Sequence, residues 1–166
     1  MIAHAYITQF PDHIASINWG EFPLPGTTYY DDMKHTGPLW HFDFQAQTDI
    51  AVTLVTGREK LYLKHFYDRL TQNQSAFTNE VVDFYTTQYS AAGALWAAFT
   101  TYRMFEEDAK HDREWRKKNG KAGVRAMIMS GEHVFMTARG CGHYLPEENP
   151  EGFCKGLGVC GEKMRQ

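Results

Sequence analysis

The chain has 166 residues, 43% hydrophobic and 22% charged, and its 17 basic and 20 acidic residues leave a net charge of −3. These values exclude a disordered or collagen-like chain, and no apolar run approaches the roughly 18 residues that a membrane-spanning helix needs. The slight acidity offers no broad positive field to nucleic acid. The length suits one domain, or at most two small ones, with room for a real core. Aromatics reach 14%, as 11 Phe, 9 Tyr and 4 Trp, which points to a deep core or a lined pocket. The opening residues Met1–Tyr6 lack a basic stretch followed by an apolar one, so no leader is expected. A cytoplasmic chain with reduced thiols is the default.

In chain order, residues 3–10 suit a short helix stopped by Pro11, and Pro11-Asp12-His13 turns the chain. Ile14 to Trp19 reads as a strand closed by Gly20. Residues 22–38 hold Pro23, Pro25, Gly26, Gly37 and Pro38, the chemistry of a loop and a boundary. From about 40 to 118 the pattern is mostly helical. Leu61, Tyr62, Phe66 and Leu70 fit an amphipathic helix over 57–72. Thr78 is a good N-cap for a helix from Asn79 to about Tyr89, with Val81, Val82 and Tyr85 as its stripe. Leu95, Phe99 and Tyr102 share one face of a helix over 91–105. The charged run 106–121 reads as a solvated helix or linker. Val124 to Met129 is a second strand. Gly140-Cys141-Gly142-His143 places a histidine in a glycine-flanked loop, and the tail from Cys154 is glycine-rich with little amphipathic pattern.

Two strands so far apart in sequence make a marginal sheet, and the chain reads as part of a larger α/β structure. Their unpartnered edges also make self-association an expectation. Cys141, Cys154 and Cys160 with His143 could in principle hold zinc, but no C-x-x-C pair is present and the spacings are irregular, so neither a metal nor a cofactor is expected.

Four segments, in order, carry a family resemblance. The first runs from Gln9 through Trp19-Gly20-Glu21 to Gly26. The second joins Trp40-His41-Phe42-Asp43-Phe44-Gln45 to the stretch from Gly57 to Phe66. The third is Gly93-Ala-Leu-Trp-Ala-Ala-Phe-Thr-Thr-Tyr-Arg-Met104. The fourth is Gly140-Cys-Gly-His-Tyr-Leu-Pro-Glu-Glu-Asn-Pro150. Together, over residues 1–153, they resemble the epoxide hydrolase and haloacetate dehalogenase branch of the α/β-hydrolase superfamily. The resemblance implies an α/β fold class: a fragment of the hydrolase fold, mostly its helical cap with two or three core strands. Residues 1–30 and 123–153 would be core pieces, 31–122 the cap, and 154–166 an atypical tail.

The same resemblance assigns roles. His143 matches the base that activates water against an Asp-ester intermediate; read by itself it is a solvated loop histidine. Glu21 matches the acid that orients this base in some members. Others place that acid after the next core strand, where Val134 stands here. Tyr102 matches a cap tyrosine that donates to the epoxide oxygen, or else packs in a helix stripe. His41 would be its fellow donor, or a solvent-facing residue at a helix start. Trp40 and Phe42 are the expected substrate contacts. The small-molecule substrate implied is an epoxide, with a haloacid as the alternative. The family's nucleophile, the Asp of Gly-His-Asp-x-Gly, has no counterpart among these 166 residues. The expectation is therefore a chain inactive by itself, or a non-catalytic interaction module.

Overall fold

A computed structural model describes residues 1–131 and 142–163. It divides into two compact units. One comprises Pro23–Tyr62 and Asp83–Lys121; the other comprises Ile2–Phe22, Leu63–Val82 and the described residues from Ala122 onward.

The first unit is helical. Residues 22–38, expected as loop, contain helix α2 (Thr28–Met33), and a 3-10 turn follows at Gly37–Leu39. The start of α2 is set by Thr27, whose hydroxyl accepts from the Tyr30 N–H at 3.2 Å, a side-chain cap for an otherwise orphaned amide. Just before it, Gly26 has φ +87°, and a Cβ there would stand 2.8 Å from the Ala109 carbonyl oxygen. Only glycine permits both the left-handed backbone and that approach.

Helices α3 (Trp40–Ala46), α4 (Thr48–Val55) and the first turn of α5 (Glu59–Leu70) follow. The unit is completed by the end of α6 (Asn79–Tyr89), then α7 (Ala94–Arg103) and α8 (Phe105–Asn119). The core of this unit is Ala51, Val55, Leu95 and Phe99, with Phe44, Tyr62 and Tyr89 packed against it. Leu95 and Phe99 lie four residues apart, so one face of α7 is buried as its pattern predicts. The helix expected over 91–105 is α7, which ends at Arg103 with Met104 as its C-cap. The charged run after it is helix α8, tied to α2 by polar contacts. Arg113 donates to both carboxylate oxygens of Asp31 at 2.6 Å, and Lys34 and Tyr30 donate to Glu106 at 2.8 and 3.0 Å.

In the second unit, α1 (Ile2–Gln9) and a turn at Pro11–His13 lead into β1 (Ser16–Gly20). β1 pairs in parallel with β2 (Arg125–Met129), Ser16 opposite Arg125 and Gly20 opposite Met129. The two expected strands are thus each other's neighbours, and they are the two strands among the described residues. Met127 and Met129 of β2 meet Leu145 of α9 (Leu145–Glu148) and Phe153 of α10 (Pro150–Lys163). Ile128, between them on the opposite face, is 73% exposed.

Two expectations are corrected. On α5 the stripe is rotated: Leu61 is 72% exposed, whereas Leu63 and Tyr67 are buried. Glu59, Leu63 and Tyr67 lie four apart and form the inward row, so the row follows the i, i+4 spacing from Glu59 rather than from Leu61. The glycine-rich tail is also helical as far as Lys163. Asn149 accepts the Gly152 N–H at 2.8 Å, and Pro150 follows it at the first helical position. Gly156 makes room on this helix: a Cβ there would lie 2.5 Å from the Met129 methyl carbon.

No helix among the described residues is long and apolar enough to cross a membrane. Val134, the alternative acid position, and Cys141 lie outside the described residues. Cys154 is exposed and free.

Candidate functional site

Glu21 follows β1 directly and adopts φ +49°, the sole described residue other than glycine with a positive φ. A side chain in that region is costly and persists where neighbours fix it. The neighbours here are specific. One carboxylate oxygen accepts the Gly131 N–H just past β2, and the other lies 3.2 Å from Nδ1 of His143. The parallel pairing of β1 with β2 carries Glu21 and Gly131 out of the sheet on the same side.

The Glu21 side chain is 9% exposed, and burial pushes its pKa up. The bonds from His143 and Gly131, with the Ser130 hydroxyl, outweigh that cost and hold the carboxyl below its ordinary range. Glu21 is therefore an acceptor-only carboxylate at neutral pH, so Nδ1 of His143 must carry the proton in this bond. Among the described residues Nε2 has no hydrogen-bond partner, and the side chain is 37% exposed. An imidazole held by a carboxylate at one nitrogen and open at the other can take a proton from water.

His143 is set by its loop. Its own N–H donates to the Leu70 carbonyl at 2.8 Å, at the end of α5. Gly142 precedes it, and a Cβ there would fall 2.1 Å from the same Leu70 oxygen, a distance no side chain tolerates. Gly140 of the same motif lies outside the described residues.

Trp40, His41, Phe42 and Tyr102 belong to the first unit. The structure brings His41 and Tyr102 together, with ring centroids 5.9 Å apart in an edge-on arrangement. Phe42 is 7% exposed and packs edge-on against Tyr102 at 5.5 Å and Phe105 at 5.2 Å. It forms the wall on which Tyr102 rests. Trp40 is 40% exposed, 5.7 Å from Phe44. Burial, and to a lesser extent the Tyr89 and Tyr62 hydroxyls, push Tyr102 up to about 12. It is therefore a protonated donor at neutral pH. Tyr62 is likewise pushed up to about 12 by burial, against a lowering contribution from Gln45, whose amide donates to its hydroxyl at 2.7 Å.

Sequence reasoning missed Glu148. It is 6% exposed, and four backbone N–H groups point at its carboxylate. Glu147-Glu148 reads as a surface pair, because the donors Gln72 and Asn73 lie 76 and 75 residues away. No local signal marks it. Gln45, also buried, was hidden in the same way by a partner 17 residues on.

No family model and no curated protein sequence matches the chain. Solved structures do. The Cif epoxide hydrolase from Acinetobacter nosocomialis is 21% identical, with a TM-score of 0.82 over 95% of this chain and 56% of that one. The epoxide hydrolase CorEH is 18% identical, with a TM-score of 0.78 over 94% and 62%. Cfl2 from Burkholderia cenocepacia is 20% identical, with a TM-score of 0.73 over 95% and 60%. The fold is thus shared with these structures, a helical region with a small parallel sheet. The chain spans about 56–62% of their lengths.

Proposed function

We propose that this chain carries the proton-transfer part of an epoxide-hydrolase-like site, and that it lacks the nucleophile such a site requires. The observation that supports it most is the pairing of buried Glu21 with Nδ1 of His143. In this reading His143 is the base that removes a proton from water, through Nε2. Glu21 fixes the ring's tautomer and stabilises the imidazolium as it forms, without itself taking the proton. Tyr102 and His41 donate to the oxygen released when the epoxide ring opens, and Trp40 and Phe42 border the substrate. The buried, fully protonated Tyr102 suits that donor role.

Residues 31–122 are read as the cap and 1–30 and 123–153 as core pieces. The substrate is an epoxide. In that chemistry an Asp carboxylate opens the ring and forms an ester, which activated water hydrolyses to a diol. No Asp of this chain stands in a Gly-His-Asp-x-Gly run, so no ester forms on the 166 residues alone.

A haloacid is the second reading, because the same base would serve its ester. Against it stands Phe42, which follows His41 where the resemblance calls for Trp in that chemistry. The purified chain is expected to release neither diol from styrene oxide nor fluoride from fluoroacetate. Robust turnover of either, abolished by His143→Ala, would contradict the proposal. An in-frame Gly-His-Asp-x-Gly run upstream of the Met1 codon would supply the missing nucleophile.

A further inference from the structure

We infer that Glu148 is the positioning residue of His143, a buried carboxylate that fixes the backbone on both sides of the imidazole. One of its oxygens accepts the N–H of Gly142 at 3.0 Å, and the other accepts the N–H of Tyr144 at 3.2 Å. These are the residues immediately before and after His143. The oxygen that takes Gly142 also takes the N–H groups of Gln72 and Asn73, both at 2.8 Å. Those two lie just beyond Leu70, whose carbonyl takes the N–H of His143 itself.

Three successive amides, 142 to 144, are therefore anchored, two on Glu148 and one on a segment that Glu148 also holds. Tyr144 further packs edge-on against Tyr67 and Phe77, at 5.2 and 5.0 Å. The imidazole direction depends on this backbone, because the ring has two torsions, χ1 and χ2, to turn about once its Cα and neighbouring peptides are fixed, and its Nδ1 is held at Glu21. Glu148 does not touch the ring. Its action is through the loop, and it sets whether Nδ1 meets Glu21.

A carboxylate is required for a stated reason. It is acceptor-only with about four lone-pair sites, and four donors are present. Glutamine has the same shape but replaces one oxygen by an NH₂ donor. With its oxygen toward Gly142, Gln72 and Asn73, the amide nitrogen faces the Tyr144 N–H. Turned over, it faces the other three. Either way a backbone donor is left buried against a donor.

The inference builds on the reading of His143 as a base, but its test involves no epoxide. The ¹⁵N-labelled full chain is compared with Glu148→Gln by amide hydrogen exchange and by the ¹⁵N shifts of the His143 ring. The expected result is exchange at Gly142, His143 and Tyr144 faster by about tenfold, as loss of one buried hydrogen bond implies. The Nδ1–H form of the ring should lose its majority, while exchange at Ile17 and Met127 in the sheet stays unchanged. Glu148→Asp, which keeps the charge but withdraws it by one methylene, should move both readouts the same way. An unchanged ring tautomer in either folded variant would overturn the inference. So would loss of protection throughout the sheet, which would make Glu148 a residue of the whole fold. Failure of the turnover expectation would leave these readouts untouched.

Discussion

Glu21 shows how a buried carboxylate stays charged. Burial alone raises its pKa, and the bonds from His143 and Gly131 reverse the balance. The linkage to stability then has a definite sign. A carboxyl held lower in the folded chain than in the unfolded one stabilises the fold above the ordinary glutamate range, and loses that contribution as pH falls through its folded value. Glu21→Gln is therefore expected to lower the urea midpoint most at neutral pH, with the gap from wild type narrowing steadily into acid. Urea unfolding at a series of pH values reads this directly, and a gap independent of pH would mean that the charge of Glu21 contributes nothing. Tyr102 is the opposite case. Burial holds it at about 12, so it keeps its proton at any pH where the protein would work.

Helix α10 rests on its first turn. Asn149 accepts the N–H of Gly152, and the Asn149 carbonyl accepts that of Phe153 at 2.9 Å. Asn149→Ala should therefore cost about 1 kcal/mol of stability, read as a lower urea midpoint with unchanged slope. No change would show that packing of Phe153 near Met129 holds the helix without its cap. The signal for this helix stands in the sequence as Asn149-Pro150, a cap followed by the residue best suited to the first helical position. It is outweighed on reading by Gly152, Gly156, Gly158 and Gly161, which each lower helix propensity. Helix α6 is legible because cap and stripe agree, Thr78 with Val82, and α7 through the spacing of Leu95 and Phe99. On α5 the stripe was misread because both faces carry large apolar residues, and Leu61 is left outside. Helix α2 was obscured by the prolines around it, although Thr27 is an ordinary cap. The Glu21–His143 pair was legible through motifs alone. Glu148 was not, because its role depends on two amides that only the folded chain brings near.

At the scale of the whole chain, the fold joins residues 122 positions apart into one bonded pair. The parallel sheet is small, but its register is what places Glu21 beside Gly131, and His143 stands two residues before α9. The aromatic richness is also explained. In the first unit Phe42, Tyr102 and Phe105 form a continuous ring cluster, with Tyr30 edge-on to Phe105 at 6.4 Å. This is the environment that keeps the Tyr102 hydroxyl protonated. In the proposed function Glu21 holds His143 through Nδ1 and leaves Nε2 to act as the base. The ¹⁵N shifts of the His143 ring in the neutral state, with and without Glu21→Ala, test it most directly. The expected result is a ring protonated at Nδ1 in the wild-type chain and a shift toward the Nε2–H form in the variant. A wild-type ring protonated at Nε2, unaltered by Glu21→Ala, would contradict it.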